Sequence, residues 1–307
     1  MNLSIVSTLY GSEDTVRDFV ARAREAAREL GGSYEIILVN DGSPDRSLEI
    51  ATELLEDADD LVIVDLSRNF GHHRALLTGL KQARGDRIFL IDSDLEEDPA
   101  WLPRFSAEMT GSGADMVSGV QTSRKGGWFE RITGDVFYRI FERLIALKMP
   151  RNPVTARILS RRFVDALDPF DERALFLPGL FAYAGFAHVT LPVEKASKGT
   201  TQYSLRRRGS LAVDAITSFS SAPMRYVFYA GVAVFGLSLL ASLLVVLLWI
   251  FFQRAPNGWT SLIVSVWMLG GLILSAVGVT GLYVGRIFDE VKRRPSVIVR
   301  TIHDSTR

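Results

Sequence analysis

The first part of the chain alternates two hydrophobic patterns. Short apolar, β-rich runs fall at Leu3–Leu9, Tyr34–Val39, Leu61–Asp65, Arg87–Ile91 and Asp115–Val120. Between them, apolar residues recur at helical spacing over Glu13–Leu30 (stopped by Gly31-Gly32), Pro44–Leu55, Arg74–Ala83 and Ala100–Met109. Strands alternating with helices predict a mainly parallel sheet covered on both faces. Such sheets bind ligands at the carboxyl ends of their strands, near a switch in strand order.

The pattern changes near residue 227. Val227–Phe252 and Thr260–Gly285 carry no charged residue and show no polar stripe. Each is long enough to cross a hydrocarbon core of about 30 Å as a helix. Arg206, Arg207, Arg208 and Arg225 precede the first run, and Arg286, Lys292, Arg293 and Arg294 follow the second. Only Arg254 lies between them. That asymmetry predicts a two-helix transmembrane hairpin with both ends cytoplasmic and Pro256-Asn257-Gly258 turning outside. Gly270, Gly271, Ser275, Ala276, Gly278 and Gly281 would let helices approach closely, within the hairpin or with a second copy in a homo-oligomer. The expected layout is an α/β domain over 1–202, a juxtamembrane amphipathic segment over 203–226, spans near 227–252 and 260–285, and a cytosolic basic tail over 286–307. This describes a multi-pass protein of the inner (plasma) membrane.

A second membrane-facing pattern lies inside the first domain, near 128–148. Trp128, Phe129, Ile132, Val136, Phe137, Ile140, Phe141, Leu144 and Ile145 form a wide apolar face at helical spacing. Such a helix packs on its own domain or lies in the headgroup layer. Leu205–Phe219, beside the three arginines, has the same two readings.

Composition narrows the partners. With 35 basic and 35 acidic side chains the formal net charge is zero, which gives no reason to expect nucleic acid. The absence of cysteine excludes disulfides and thiolate metal sites. The opening MNLSIVSTLYGSED has no basic n-region and so does not read as a secretory signal.

Polar groups gather where the predicted strands end. The fourth strand runs into Asp92-Ser93-Asp94, followed by Glu96, Glu97 and Asp98. In extended chain the side chains of Asp92 and Asp94 point the same way, so their charges repel unless a cation lies between them. Mg²⁺ or Mn²⁺, shared between carboxylate, water and substrate phosphates, suits that position. Asp41, in Asp-Gly-Ser-Pro, could read a base or ribose, with Ser43 left to cap the next helix. Arg68 and Arg124 could offset phosphate charge. His72 and His73 are adjacent and diverge in any regular structure, so they do not read as a zinc pair.

These blocks resemble family 2 glycosyltransferases of the GT-A fold, and more narrowly the polyprenyl-phosphate glycosyltransferases. The resemblance is carried by IILVNDGSPDRS, LSRNFGHHRALLTGL, FLIDSDLEEDP and WFERITGDVFYRIFERL. It continues through TTQYSLRRRGSLAVDAITSFSSAPMR and the two apolar runs, and so covers nearly the whole chain. It implies that Asp41 contacts the donor nucleotide, that Asp92 and Asp94 flank its diphosphate with Asp94 on the metal, and that Arg124 lies on the donor side. It also implies that Arg131 meets the acceptor phosphate and that Arg157 is at the active site. Three departures stand out. Only Tyr10 survives of the family's Pro-Val-Tyr-Asn-Glu, with Glu13 available for the displaced glutamate. Thr155 stands where the family has an aspartate, and Ala196 where it has an arginine, leaving Lys195 or Lys198 to supply the charge.

The implied reaction is inverting transfer of a sugar from a nucleotide diphosphate, a UDP-sugar first, to polyprenyl phosphate at the membrane. A lipid phosphate is already ionised at neutral pH, so the missing aspartate is tolerable. A processive synthase would carry more spans and a Gln-x-x-Arg-Trp motif; the other alternative is a non-catalytic membrane scaffold that kept the fold.

Overall fold

The computed structural model describes residues 1–56, 58–121, 150, 152–172, 175–196, 220, 222–252 and 258–304. They divide into two compact units, Met1–Arg208 with Arg294–Arg307, and Gly209–Arg293.

The first unit is built on one sheet. Its strands are β1 (Leu3–Leu9), β2 (Tyr34–Asn40), β3 (Leu61–Leu66), β4 (Arg87–Leu90), β5 (Met116–Gln121), β6 (Pro153–Ser160), β7 (His188–Val193) and β8 (Val299–Asp304). The spatial order is β7-β5-β6-β4-β1-β2-β3-β8. β1 pairs in parallel with β2 and β4, β2 with β3, and β5 with β7. β6 runs antiparallel to β4 and β5, and β8 antiparallel to β3. The sheet is therefore mixed and mainly parallel, and its order reverses between β1 and β4.

Helices cover both faces: α1 (Val16–Leu30), α2 (Ser47–Glu56), α3 (His72–Gln82), α4 (Leu102–Ser112), α5 (Arg161–Leu167) and α6 (Leu177–Tyr183). On one face Leu3, Ile5, Ile36 and Leu38 pack with Phe19 and Val20 of α1 and Phe105 of α4. On the other, Val6, Ile37 and Val39 pack with Leu76 and Leu80 of α3, Phe163 of α5 and Leu180 of α6. Burial on both faces explains why β1 to β4 read as almost continuous apolar runs.

Some elements depart from the sequence reading. β6 falls on Pro-Val-Thr-Ala-Arg-Ile-Leu-Ser, whose central arginine and threonine hide its strand character. α2 starts at Ser47 rather than Pro44, and α3 at His72 rather than Arg74. The segment 286–307 is not a simple basic tail. Its end forms β8, which closes the sheet edge beside β3. Arg300 donates to Asp65 Oδ2 (3.0 Å) and to the Ser67 carbonyl (2.9 Å), and Asn40 donates to the other Asp65 oxygen (2.7 Å).

The second unit contains α7 (Ala222–Phe252) and α8 (Trp259–Val291), both longer than the apolar runs that predict them. Among the described residues, Ser265–Val291 is long and apolar enough to cross a membrane, by length and composition only. The expected helix near 128–148, most of the 203–226 segment, and Arg124, Arg131 and Lys198 lie outside the described residues.

Candidate active site

The carboxyl ends of β1, β2 and β4 are stitched together by hydroxyls. Ser93 Oγ donates to the Thr8 carbonyl (2.7 Å) and shares a hydrogen bond with Ser12 Oγ (3.1 Å). The Gly11 and Ser12 amides donate to the hydroxyls of Ser43 and Ser47, both at 2.9 Å. Asp45 accepts those two hydroxyls at 2.5 Å each, and the amides of Ser47 (3.1 Å) and Glu13 (3.0 Å). Burial opposes its charge, but these donors outweigh it and hold its pKa down to about 2. Asp45, not Ser43, thus supplies the acceptor at the start of α2. Glu13 answers by accepting the Arg46 amide (3.1 Å), which ties it to the loop rather than presenting it to a donor.

Asp41 is buried at the end of β2. Its two oxygens accept the amides of Phe70 (2.7 Å) and Gly71 (3.0 Å). Burial pushes its pKa up, and these amides pull the other way. Sequence reasoning leaves this carboxylate free for a base. Here it organises the loop between β3 and α3, and a nucleotide would meet only its remaining lone pairs. Gly42 marks where the two loops cross: its φ is 59°, and a Cβ would stand 2.5 Å from both Arg68 C and Asn69 N. Arg68 is exposed, with its guanidinium 4.2 Å from the Phe70 ring centre. Tyr10, just past β1, is 57% exposed and free to meet a ligand.

His72 is a bridge that sequence reasoning missed. As the first residue of α3 it shares a 3.1 Å hydrogen bond between Nδ1 and Thr8 Oγ1. Its Nε2 lies 3.4 Å from Asp92 Oδ1. His73 diverges, as expected, to pack against Phe176 with ring centres 5.8 Å apart. Burial, reinforced by His72, pushes the His73 pKa down to about 4. No local signal distinguishes the two histidines, because the partners of His72 come from β1 and β4.

The acidic run after β4 divides into separate tasks. A left-handed turn at Leu95 (φ 61°) breaks the extended chain. Asp92 is half-buried, and its Oδ1 has no hydrogen-bond partner among the described residues. Asp94 is exposed and accepts the Glu96 amide (2.9 Å). Glu96 pairs with Lys195 Nζ at 3.0 Å. Glu97 turns inward, is wholly buried, and accepts the amides of Thr155 (2.9 Å) and Ala156 (2.7 Å). Asp98 caps the short 3₁₀ turn Pro99–Trp101 by accepting the Ala100 amide (3.0 Å). The cluster is therefore not one metal seat, because only Asp92 and Asp94 remain for that role.

Arg157 reaches the same region from β6, paired with Leu90 of β4 and Ser118 of β5. It is 7% exposed and donates to the carbonyls of Val154 (2.7 Å) and Thr155 (2.9 Å). Its guanidinium carbon lies 4.8 Å from the Phe181 ring centre. Burial lowers its pKa to about 10, against the opposing charges of Glu97 and Asp92. Lys195, from the loop after β7, lies 3.5 Å from Glu97. Burial works to lower the Lys195 pKa, but Glu97, Glu96 and Asp94 outweigh it and raise it.

These donors fit a hard divalent ion. A buried carboxylate oxygen without a hydrogen-bond partner is costly unless a cation meets it. No group of three or more His, Cys, Asp or Glu poised for a metal occurs among the described residues. A site with so few protein ligands suits Mg²⁺ or Mn²⁺, which take the rest of their shell from water and phosphate.

With this geometry in view, the chain belongs to the glycosyl transferase family 2, whose model matches residues 4–167. It is 32% identical to the SfII prophage-derived bactoprenol glucosyl transferase of Shigella flexneri, over 99% of each chain. A Mycobacterium tuberculosis protein with only a generic glycosyltransferase name is 44% identical, covering 99% of this chain and 89% of its own. Among solved structures, the Pyrobaculum calidifontis mannosyltransferase PcManGT, in complex with GDP-Man and Mn²⁺, matches with a TM-score of 0.50 at 19% identity. That match covers 70% of this chain and 62% of the other, and supports the GT-A-like fold.

Proposed function

We propose that this glycosyltransferase moves a sugar from a nucleotide diphosphate, a UDP-sugar in the first instance, to polyprenyl phosphate at the cytoplasmic face of the membrane. The observation that carries the reading is the unpartnered Asp92 carboxylate beside Asp94 at the switch in strand order. Near full-length similarity to a bactoprenol glucosyl transferase supports the acceptor class.

Asp92 and Asp94 would hold Mg²⁺ or Mn²⁺, which when bound neutralises the donor diphosphate and its leaving charge. Tyr10 and Arg68 stand exposed beside this edge to meet the nucleotide, while Asp41 keeps the loop carrying Arg68 in shape. Lys195 and Arg157 supply positive charge on the other side, and Arg131, Arg124 and Lys198 are proposed to join them there. The acceptor phosphate attacks as an anion, so Thr155 in place of a carboxylate leaves the chemistry intact. One in-line displacement inverts the anomeric centre.

The two apolar helices are proposed to form the membrane hairpin. The chain leaves the catalytic unit before α7 and returns to it in β8. If it crosses a bilayer, it therefore crosses an even number of times, as two spans require.

The test is transfer by full-length protein in nanodiscs, from a panel of nucleotide sugars to undecaprenyl phosphate with Mg²⁺ or Mn²⁺. We expect activity that EDTA abolishes and that Asp94→Asn reduces at least about 100-fold. Transfer at full rate without a divalent ion would refute the reading, and no transfer with any donor would favour a scaffold.

A further inference from the structure

Glu97 is the one fully buried member of the acidic run, and its surroundings have a consistent geometry. Its two oxygens hold consecutive amides, Thr155 and Ala156, at the start of β6. The carbonyls of the same short segment, Val154 and Thr155, are held by Arg157. A carboxylate and a guanidinium thus grip opposite polar groups of one stretch of backbone. Lys195 Nζ stands 3.5 Å from Glu97 and 3.0 Å from Glu96, and the Ala196 amide donates to the Glu96 carbonyl (2.9 Å). Three separate segments, the loop after β4, the start of β6 and the loop after β7, therefore meet at this carboxylate.

A carboxylate buried this completely is costly in itself. Burial and the neighbouring Asp92 charge push its pKa well above the usual carboxylate range, against the pull of Lys195 and the two amides. A plain structural tie could be made more cheaply by an amide or hydroxyl. What a charge adds here is a fixed position for two cations relative to Asp92 and Asp94, which sit at the other end of the same six-residue loop.

We propose that Glu97 is a positioning residue for sugar transfer: it fixes the separation between the two metal-seating aspartates and the Arg157–Lys195 pair that faces the acceptor phosphate. It touches no substrate and acts through Arg157 and Lys195. The inference rests on the transfer reaction proposed above. It predicts that Glu97 governs how the two substrates are brought together, not whether the donor nucleotide binds.

The test uses full-length wild type, Glu97→Gln and Glu97→Asp in nanodiscs. UDP affinity with Mn²⁺ is measured by calorimetry, kcat and acceptor KM by transfer to undecaprenyl phosphate, and integrity by thermal melting. We expect Glu97→Gln to bind UDP within about threefold of wild type but to lose about 10–100-fold in kcat/KM for the acceptor, the range for outer residues that orient a metal site. Glu97→Asp, which keeps the charge, should recover part of that loss. Should Glu97→Gln fail to fold, Lys195→Gln, which breaks the same pair from its outer side, must show the same split.

Unchanged acceptor kinetics in Glu97→Gln overturn the inference alone, leaving the functional reading in place. Loss of UDP binding in step with loss of turnover also overturns it, because a merely structural tie would behave that way. Wild type that binds UDP and Mn²⁺ but glycosylates no lipid phosphate overturns the functional reading, and this inference with it.

Discussion

Asp41→Asn separates two roles for the same carboxylate. If Asp41 chiefly reads the donor base, the change should weaken nucleotide binding and leave the fold alone. Its geometry points to the loop. Each oxygen accepts one backbone amide, Phe70 at 2.7 Å and Gly71 at 3.0 Å, and the residue is 2% exposed. Asparagine keeps one acceptor but turns an NH₂ toward the other amide, leaving a buried donor facing a donor. An orphaned buried group costs about 1–3 kcal/mol, and hydrogen bonds to a charged acceptor fall in the upper part of the usual range. Removing the buried charge gives some of this back, since burial already pushes the Asp41 pKa up. The net loss should be about 2 kcal/mol, which lowers the melting temperature of a domain of this size by about 4–8 °C. Asp41→Ala, which orphans both amides, should cost more. The assay is thermal unfolding in detergent at pH 7, alongside calorimetric titration with UDP and Mn²⁺. An Asp41→Asn protein melting within 1 °C of wild type while losing tenfold or more in nucleotide affinity would refute the loop-clamp argument.

Three other outcomes follow from particular contacts. Gly42→Ala forces a side chain into left-handed backbone and sets its Cβ 2.5 Å from two backbone atoms, so it should cost about 3 kcal/mol or more, read as a lower urea midpoint. His73 has a folded pKa of about 4, below the ordinary value of 6.5, so the folded state prefers the neutral ring. Its contribution is present above pH 6.5 and is lost as pH falls toward 4, about 3 kcal/mol in full; urea midpoints at pH 7 and 4.5 should therefore differ less in His73→Leu than in wild type. Arg300→Ala strips one partner from the buried Asp65 and should cost about 1–2 kcal/mol by thermal melting, and deleting 299–307 should cost more.

The strands buried on both faces were readable because their apolar runs are unbroken, and the helices between them because their periodicity is clean. β6 was not, since Thr155, Arg157 and Ser160 interrupt its apolar sequence and its pairing with β4 and β5 is set by tertiary contacts. β8 was hidden for a similar reason: Arg300, His303 and Asp304 resemble a solvated tail until β3 supplies an edge. At the site, the position of Asp92 and Asp94 followed from local sequence, because a carboxylate pair at a strand end is a local feature. The separate task of Glu97 did not, because its partners lie nearly sixty residues away on a strand that the pattern does not announce. The same distance explains His72, whose partners are Thr8 and Asp92.

The return of the chain in β8 sets an order of events during synthesis. Residues 299–304 are among the last to leave the ribosome, after both long helices have been made. Until they emerge, the outer edge of β3 has no strand beside it and Asp65 lacks its arginine. The nascent enzyme must therefore wait, with one flank of its nucleotide side unfinished, until its most apolar segments have already found their own surroundings.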